Sequence, residues 1–335
     1  MSRGLRVAIV GATGAVGQEL IAVLQERSFP ISDLKMLADA QAQGTKVKFG
    51  DHEMTVYEAK PDSFQGVDIA FFVGGEVLIP EAVKRGAVAI DNSSVYRFDP
   101  DVPLVVPEVN PDDVENHKGI ISNPNCSTTI FVVALYPLHQ IARVKRAVVT
   151  TMQAVSGAGI AAKNELLLQT RQTLDGDEVS EPHIFDHQIA FNLIPHIDVF
   201  GDNGYCKEEM KLLNETRKIL HDSEIQITAT TVRVPVLRSH SESVNIETEK
   251  ELTAQQAREI LGNAPGVIVQ DDPEKIEYPM PLFTSGKDEV FVGRIRKDYS
   301  QDQGLNFWIV SDQLRKGAAT NAVQIAELLC SKNLL

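Results

Sequence analysis

Cys126 stands in Ser-Asn-Pro-Asn-Cys-Ser-Thr-Thr-Ile (122–130), between a turn and a long apolar run. Asn123-Pro124-Asn125 is turn chemistry, and CSTTIFVVALYPL then has the pattern of a helix. The thiol therefore falls in a first turn whose backbone N–H groups lack intrahelical partners. Positive potential at such a place lowers a thiol pKa and favours the thiolate, the form that attacks an acyl carbon. The alternative is that Cys126 packs as a small buried hydrophobe, as free cysteines commonly do.

Other residues bear on that choice. RVPVLRSHSESV (233–244) carries His240, either an acid-base group working near neutral pH or a hydrogen-bonded strand-end histidine. It also carries Arg233, which fits a bidentate carboxylate grip or a cross-strand ion pair. Glu208 and Lys211 in KEEMK (207–211) are spaced as a helical surface pair, and only context gives them another task. Gln153 ends an apolar strand just before Gly157 and Gly159, where a polar group and bare backbone can meet a ligand. Arg97 lies on a loop flanked by Pro and Asp, as an anion ligand or as a solvated arginine.

The elements that must position these residues fall into two groups. Apolar stretches at 5–11, 34–39, 68–75, 88–94, 104–109 and 119–123 lack polar alternation, which predicts strands of a parallel, helix-covered, doubly wound α/β sheet. The first leads into VAIVGATGAVGQELIAVL (7–24), a strand-turn-helix with Gly11, Gly14 and Gly17 spaced to let backbone N–H groups approach a pyrophosphate. Asp39, ending the second strand, is placed either to accept from a ribose 2′-OH, which favours NAD, or to sit as a solvated loop acid. Alternating strands at 225–236, 242–249, 289–298 and 305–312 predict a second, α+β domain with a mixed or antiparallel sheet. The tail 315–331 is an amphipathic helix, and the domain change is expected near 126–150.

A chain of 335 residues fits about two domains. The net charge of -14 repels nucleic acid and anionic membranes, so an anionic substrate needs local cations. No apolar run reaches membrane-spanning length and the amino terminus lacks a signal-peptide layout, so a cytoplasmic location is expected. Cys126, Cys206 and Cys330 form no CxxC pair, and no His cluster has zinc-ligand spacing; neither disulfide nor metal is expected.

The ordered motifs GATGAVG, DNSSVYRFDPDVPLVVPEVN, SNPNCSTT, QAVSGAG, IAFNLIPHID, EEMK, RVPVLRSHSESV and DQLRKGAATN resemble the aspartate-β-semialdehyde dehydrogenase family nearly end to end. The resemblance implies a Rossmann-type dinucleotide-binding domain over 1–127, completed by the C-terminal helix 314–335, and a catalytic and dimerisation domain over 128–313. It implies NADPH-dependent reductive dephosphorylation of L-aspartyl 4-phosphate to L-aspartate 4-semialdehyde, reversible with inorganic phosphate, in lysine, methionine and threonine biosynthesis. Cys126 would attack the acyl group, His240 would be its acid-base partner, Gln153 would orient the substrate, and Asn125 would stabilise the oxyanion. Arg233 and Glu208 would hold the substrate carboxylate and amino group, Arg97 and Lys211 the phosphate. Gly11, Thr13, Gly14, Ala15, Val16, Gln41, Ala42, Ser156, Gly157 and Gln313 would meet the cofactor. Where NADP-preferring members often carry Ser or Arg, this chain reads Asp39-Ala40-Gln41-Ala42, so NADP is expected with NAD as the alternative. The family further implies a homodimer or homotetramer. Two rivals remain: another acyl-phosphate reductase, such as one acting on N-acetyl-glutamyl phosphate, and a nucleotide-binding sensor without turnover.

Overall fold

The computed structural model describes residues 4–335. In β1 (Leu5–Val10), Val7 and Ile9 face one core with Leu20 and Leu24, while Ala8 and Val10 face another with Phe64, Phe72 and Ile79. A strand covered on both faces needs no polar residues, which is why its sequence is an unbroken apolar run. There follow α1 (Ala15–Glu26), β2 (Ile31–Ala38), β3 (Lys46–Phe49), β4 (His52–Glu58), β5 (Ile69–Phe72), α2 (Ile79–Lys84), β6 (Val88–Asp91) and β7 (Ile120–Ser122). The seven strands lie in the order β3-β4-β2-β1-β5-β6-β7, every neighbouring pair parallel except β3 with β4. Chain order reverses at β1, and the carboxyl edge beside such a reversal is where doubly wound sheets bind nucleotides.

Two local expectations fail here. Residues 104–109 are a loop rather than a strand, with only a bridge from Leu104 to Ser122. Pro103 and Pro107 cannot donate to a ladder, and the Asn110 side chain substitutes for one, accepting from Val106 N–H at 2.8 Å and donating to Leu104 O at 2.8 Å. The β3–β4 hairpin, turning at Gly50 (φ +60), was not foreseen: an edge hairpin with much of its surface exposed lacks the apolar run that marks the inner strands.

The second unit comprises α3 (Cys126–Ala142), β8 (Val144–Ala154), α4 (Ile160–Asp175), α5 (Lys207–Leu220), β9 (Gln226–Val234), β10 (His240–Thr248), α6 (Ala254–Gly262), β11 (Val267–Val269), α7 (Pro281–Thr284), β12 (Val290–Lys297) and β13 (Gly304–Ser311). Its six strands run β11-β12-β13-β10-β8-β9, parallel at both ends and antiparallel between, so the sheet is mixed. One face is buried: on β8, Ala147, Val149, Thr151 and Gln153 are inside, while Val148, Thr150 and Met152 are partly exposed. Beyond Gly317, α8 (Thr320–Ser331) adds Ala322, Val323, Ile325, Ala326 and Leu329 to the core that contains Val7 and Ile9. Backbone contacts accordingly group Ala318–Leu335 with the chain up to Asn125, and Cys126–Gly317 as a separate unit.

Candidate active site

Sheet register in the second unit sets the functional side chains in one row. Gln153 on β8 lies opposite Arg233 on β9, and His240 opens β10 on the other side of β8. All three are buried. Both peptide groups of Ala154 are committed to this row: its N–H donates to His240 Nδ1 at 3.0 Å, and its carbonyl accepts from Arg233 Nη1 at 2.8 Å. A backbone N–H can only donate, so Nδ1 is an acceptor and the proton of the neutral imidazole sits on Nε2, which has no hydrogen-bond partner among the described residues. Burial, reinforced by the Arg233 charge, pushes the imidazole well below its usual pKa, so the ring is neutral at physiological pH. Burial also lowers the pKa of the Arg233 guanidinium, opposed by Glu208 and Cys126, and the group stacks 5.7 Å from the Phe185 ring centroid.

Cys126 is the first residue of α3, partly exposed, and the next residue ties that turn to the row: Gln153 Nε2 donates to Ser127 Oγ at 2.8 Å and to Glu208 Oε1 at 3.1 Å. Gly317, in a π-helical turn over Arg315–Ala319, passes so close that a Cβ would stand 2.8 Å from Cys126 Cβ. At Gly157 a Cβ would stand 3.2 Å from both Arg233 Nη1 and His240 Cε1. A side chain is therefore crowded at two points around the site, most severely at Gly317.

Glu208 and Lys211 are paired at 3.1 Å, but this is no solvated surface pair, since Glu208 is only 6% exposed. Lys211 also donates to Asp198 Oδ2 at 3.3 Å. Burial opposes the charge on Lys211, but Glu208 and Asp198 outweigh it and raise its pKa. The adjacent Glu209 is structural: it accepts from Cys206 N–H at 2.8 Å at the start of α5 and from Thr231 N–H at 3.1 Å on β9. A cleft of about 590 Å³ is lined by Phe185, Ile194, His196, Asp198, Phe200 and Arg233, among others.

In the first unit, Gly11 (φ +89) ends β1, Thr13 precedes the Gly14 cap, and Ala15 and Val16 open α1 with no side chain capping it. A Cβ on Gly17 would lie 2.2 Å from Gly11 O, so only glycine lets α1 start this close to the turn. The uncapped N–H groups of this turn fit an anion such as a pyrophosphate. Asp39 instead uses its carboxylate to accept from Ala42 N–H at 3.0 Å, capping a short 3-10 turn over Ala40–Ala42 that includes Gln41. Arg97 is buried, not a solvated loop residue, and donates to the carbonyls of Asn123 at 3.1 Å and Asn92 at 2.9 Å. Asn125 is buried just before α3. Back in the second unit, the Gln313 amide accepts from Ser239 N–H at 2.8 Å and donates to Ser156 Oγ at 2.6 Å.

Cys126, Gln153, Glu208, Lys211, Arg233 and His240 thus belong to one constellation, against which Gly157 packs, while Gln313 is bonded to the neighbouring Ser239 and Ser156. Sequence reasoning assigned no task to Ser127 and Asp198, although both lie within quoted motifs, and missed Phe185, which lies in none. Among the described residues no group of three or more His, Cys, Asp or Glu is placed to hold a metal ion, and no helix is long and apolar enough to cross a membrane.

The sheet order and the glycine turn together define a nucleotide-binding domain of the Rossmann type. Residues 6–117 match the semialdehyde dehydrogenase NAD-binding domain, and residues 135–316 match the semialdehyde dehydrogenase dimerisation domain. An Aquifex aeolicus protein named aspartate-semialdehyde dehydrogenase is 55% identical over 99% of this chain and all of its own length. The Vibrio cholerae aspartate semialdehyde dehydrogenase II complexed with ASA superposes with a TM-score of 0.95 at 45% identity, over 98% of this chain and 99% of its own. A Candida albicans enzyme of the same name, with NADP, gives 0.76 at 26% identity over 99% and 100% of the two chains. The chain belongs to the aspartate-semialdehyde dehydrogenase family.

Proposed function

We propose that the chain reduces L-aspartyl 4-phosphate to L-aspartate 4-semialdehyde with NADPH, and in reverse oxidises the semialdehyde with inorganic phosphate, as a step toward lysine, methionine and threonine. The observation that carries the substrate assignment is Glu208, a buried carboxylate on α5 that accepts from Gln153 of the row that also holds Arg233. Aspartyl phosphate needs a cation for its carboxylate and an anion for its ammonium, and Arg233 and Glu208 supply both. An N-acetylated substrate has no use for the anion.

The Cys126 thiolate attacks the acyl carbon, forming a C–S bond as the C–O bond to phosphate breaks, with Lys211 and Arg97 taking the leaving phosphate. The thioester on Cys126 would be reduced by the hydride that a nicotinamide supplies when bound. His240 Nε2–H and Asn125 would each donate to the oxyanion of the reduced thioester, whose collapse would release the Cys126 thiolate and the aldehyde. The fixed tautomer suits this role, because Nε2 already bears the proton that a developing oxyanion needs. Ser156, Gly157, Gln313 and the residues from Gly11 to Val16 would hold the nucleotide, and a homodimer or homotetramer in the cytoplasm would be the working form. NADP is favoured by the structural relative that carries it, while Asp39-Ala40-Gln41-Ala42 presents no cation to a 2′-phosphate, which keeps NAD as the alternative.

Initial rates with L-aspartate semialdehyde and each nucleotide, with and without phosphate, test the reading. Phosphate-dependent reduction of NADP supports it. A well-folded protein that turns over neither nucleotide would be the sensor instead.

A further inference from the structure

Lys211 Nζ is held between two carboxylates, Glu208 Oε2 at 3.1 Å and Asp198 Oδ2 at 3.3 Å. Asp198 is no casual neighbour. Its backbone is left-handed (φ +69), uncommon for a residue other than glycine, and its Oδ1 accepts from Val199 N–H at 2.8 Å. That bond directs the other oxygen at Lys211. Asp198 and Arg233 line the same cleft, so a ligand whose carboxylate reaches Arg233 comes within range of Asp198 as well.

On the substrate assigned above, this arrangement poses a problem of charge. The place an α-ammonium would occupy, beside Glu208, is already filled by a lysine ammonium. We propose that Asp198 is a substrate-selecting residue: the substrate ammonium replaces Lys211 Nζ between Glu208 and Asp198, and Lys211 so released turns to the phosphate. Lys211 is then a stand-in for the substrate amine, and amine recognition and phosphate capture are one event.

Charge counting supports the exchange. Arg233 and Lys211 balance Glu208 and Asp198 in the ligand-free cluster. A ligand with both carboxylate and ammonium puts a cation back between Glu208 and Asp198 as Lys211 leaves, while Arg233 meets its carboxylate. A ligand with the carboxylate alone does not: withdrawing Lys211 would leave two carboxylates facing each other with no cation between them. Amine-free acyl compounds therefore fail to free the lysine, and are selected against at the phosphate step as well as at binding. A loop-pinning ion pair, the plainer role for Asp198, would affect every substrate alike.

The test is Asp198→Asn, which keeps the shape and tolerates left-handed backbone, assayed in the oxidative direction with L-aspartate semialdehyde and with succinate semialdehyde, which lacks the amine. With the natural aldehyde, kcat/KM falls about tenfold or more, whereas with succinate semialdehyde it changes by less than about twofold. The KM for phosphate measured with succinate semialdehyde falls in the variant, because Lys211 has lost one of its two anchors. Asp198→Glu, which restores the charge, recovers discrimination between the aldehydes. Equal losses with both aldehydes, or a phosphate KM that does not move, would overturn the proposal. If the parent protein oxidises L-aspartate semialdehyde normally and Asp198→Asn is silent, only this inference fails; if the parent oxidises neither aldehyde, the assigned reaction fails and the inference falls with it.

Discussion

Glu242 offers a direct measurement of how dry the inner face of the second sheet is. It lies on β10 opposite Thr151 and Ile309, two residues from His240 and on the same face, and it is fully buried. Neither carboxyl oxygen has a hydrogen-bond partner among the described residues. Burial alone holds the carboxyl well above its ordinary value of 4.5, so it is a neutral acid in the fold. The unfolded chain gives up this proton near the ordinary value and the folded chain keeps it. From there upward the unfolded state binds fewer protons, and stability falls as pH rises. One proton fixes the slope at about 1.4 kcal/mol per pH unit across the interval between the ordinary value and the raised one, a large effect against a typical domain's stability. Glu242→Gln keeps the shape and cannot titrate. Urea unfolding of the parent and the variant, followed by the fluorescence of Trp308 on β13 of the same sheet, should give nearly equal midpoints at pH 4 and a variant increasingly more stable as pH rises. A difference independent of pH, or a parent that gains on the variant, would mean that Glu242 is ionised and partnered in the fold, and the reasoning would be wrong.

Three further outcomes are expected. Cys126→Ala should abolish turnover while leaving nucleotide affinity, measured by fluorescence titration, within about twofold, because the thiol and the glycine turn have separate tasks. Gly157→Ala should lower kcat/KM roughly 10- to 100-fold with little change in melting temperature, since its methyl would press on Arg233 and His240 at 3.2 Å while both are pinned to Ala154. His240→Asn should relieve acid sensitivity: the unfolded histidine takes up a proton near 6.5 and the buried one does not, so the parent loses stability as pH falls through that value and the variant does not. Unfolding of both at pH 7.5 and 5.5 reads the difference.

The inner strands of the first sheet were legible because burial on both faces leaves an apolar signature, as in β1 and β5. Residues 104–109 carry the same signature without the structure, since Pro103 and Pro107 remove the donors a ladder needs. The candidate site was legible by residue type: Cys126, Arg233 and His240 stood out in their motifs. Its partnerships were not. That Ala154 would bind His240 and Arg233 through one peptide unit each depends on register across three strands, and that Asp198 would reach Lys211 depends on a loop conformation thirteen residues away. Glu242 was hidden for another reason: in an alternating strand a charged residue is taken for the solvated face, and here it is on the buried one.

The placement of α8 has a bearing on how the molecule comes to be made. During synthesis the residues of β1, β2 and β5 emerge first, yet the helix that shields Val7 and Ile9 is encoded at the far end, after the whole of Cys126–Gly317. The nascent amino-terminal sheet must therefore wait on the ribosome with an uncovered greasy flank, and truncation shortly before Ala318 should yield a product that seeks chaperones or clumps, even though its glycine turn and its thiol are both present.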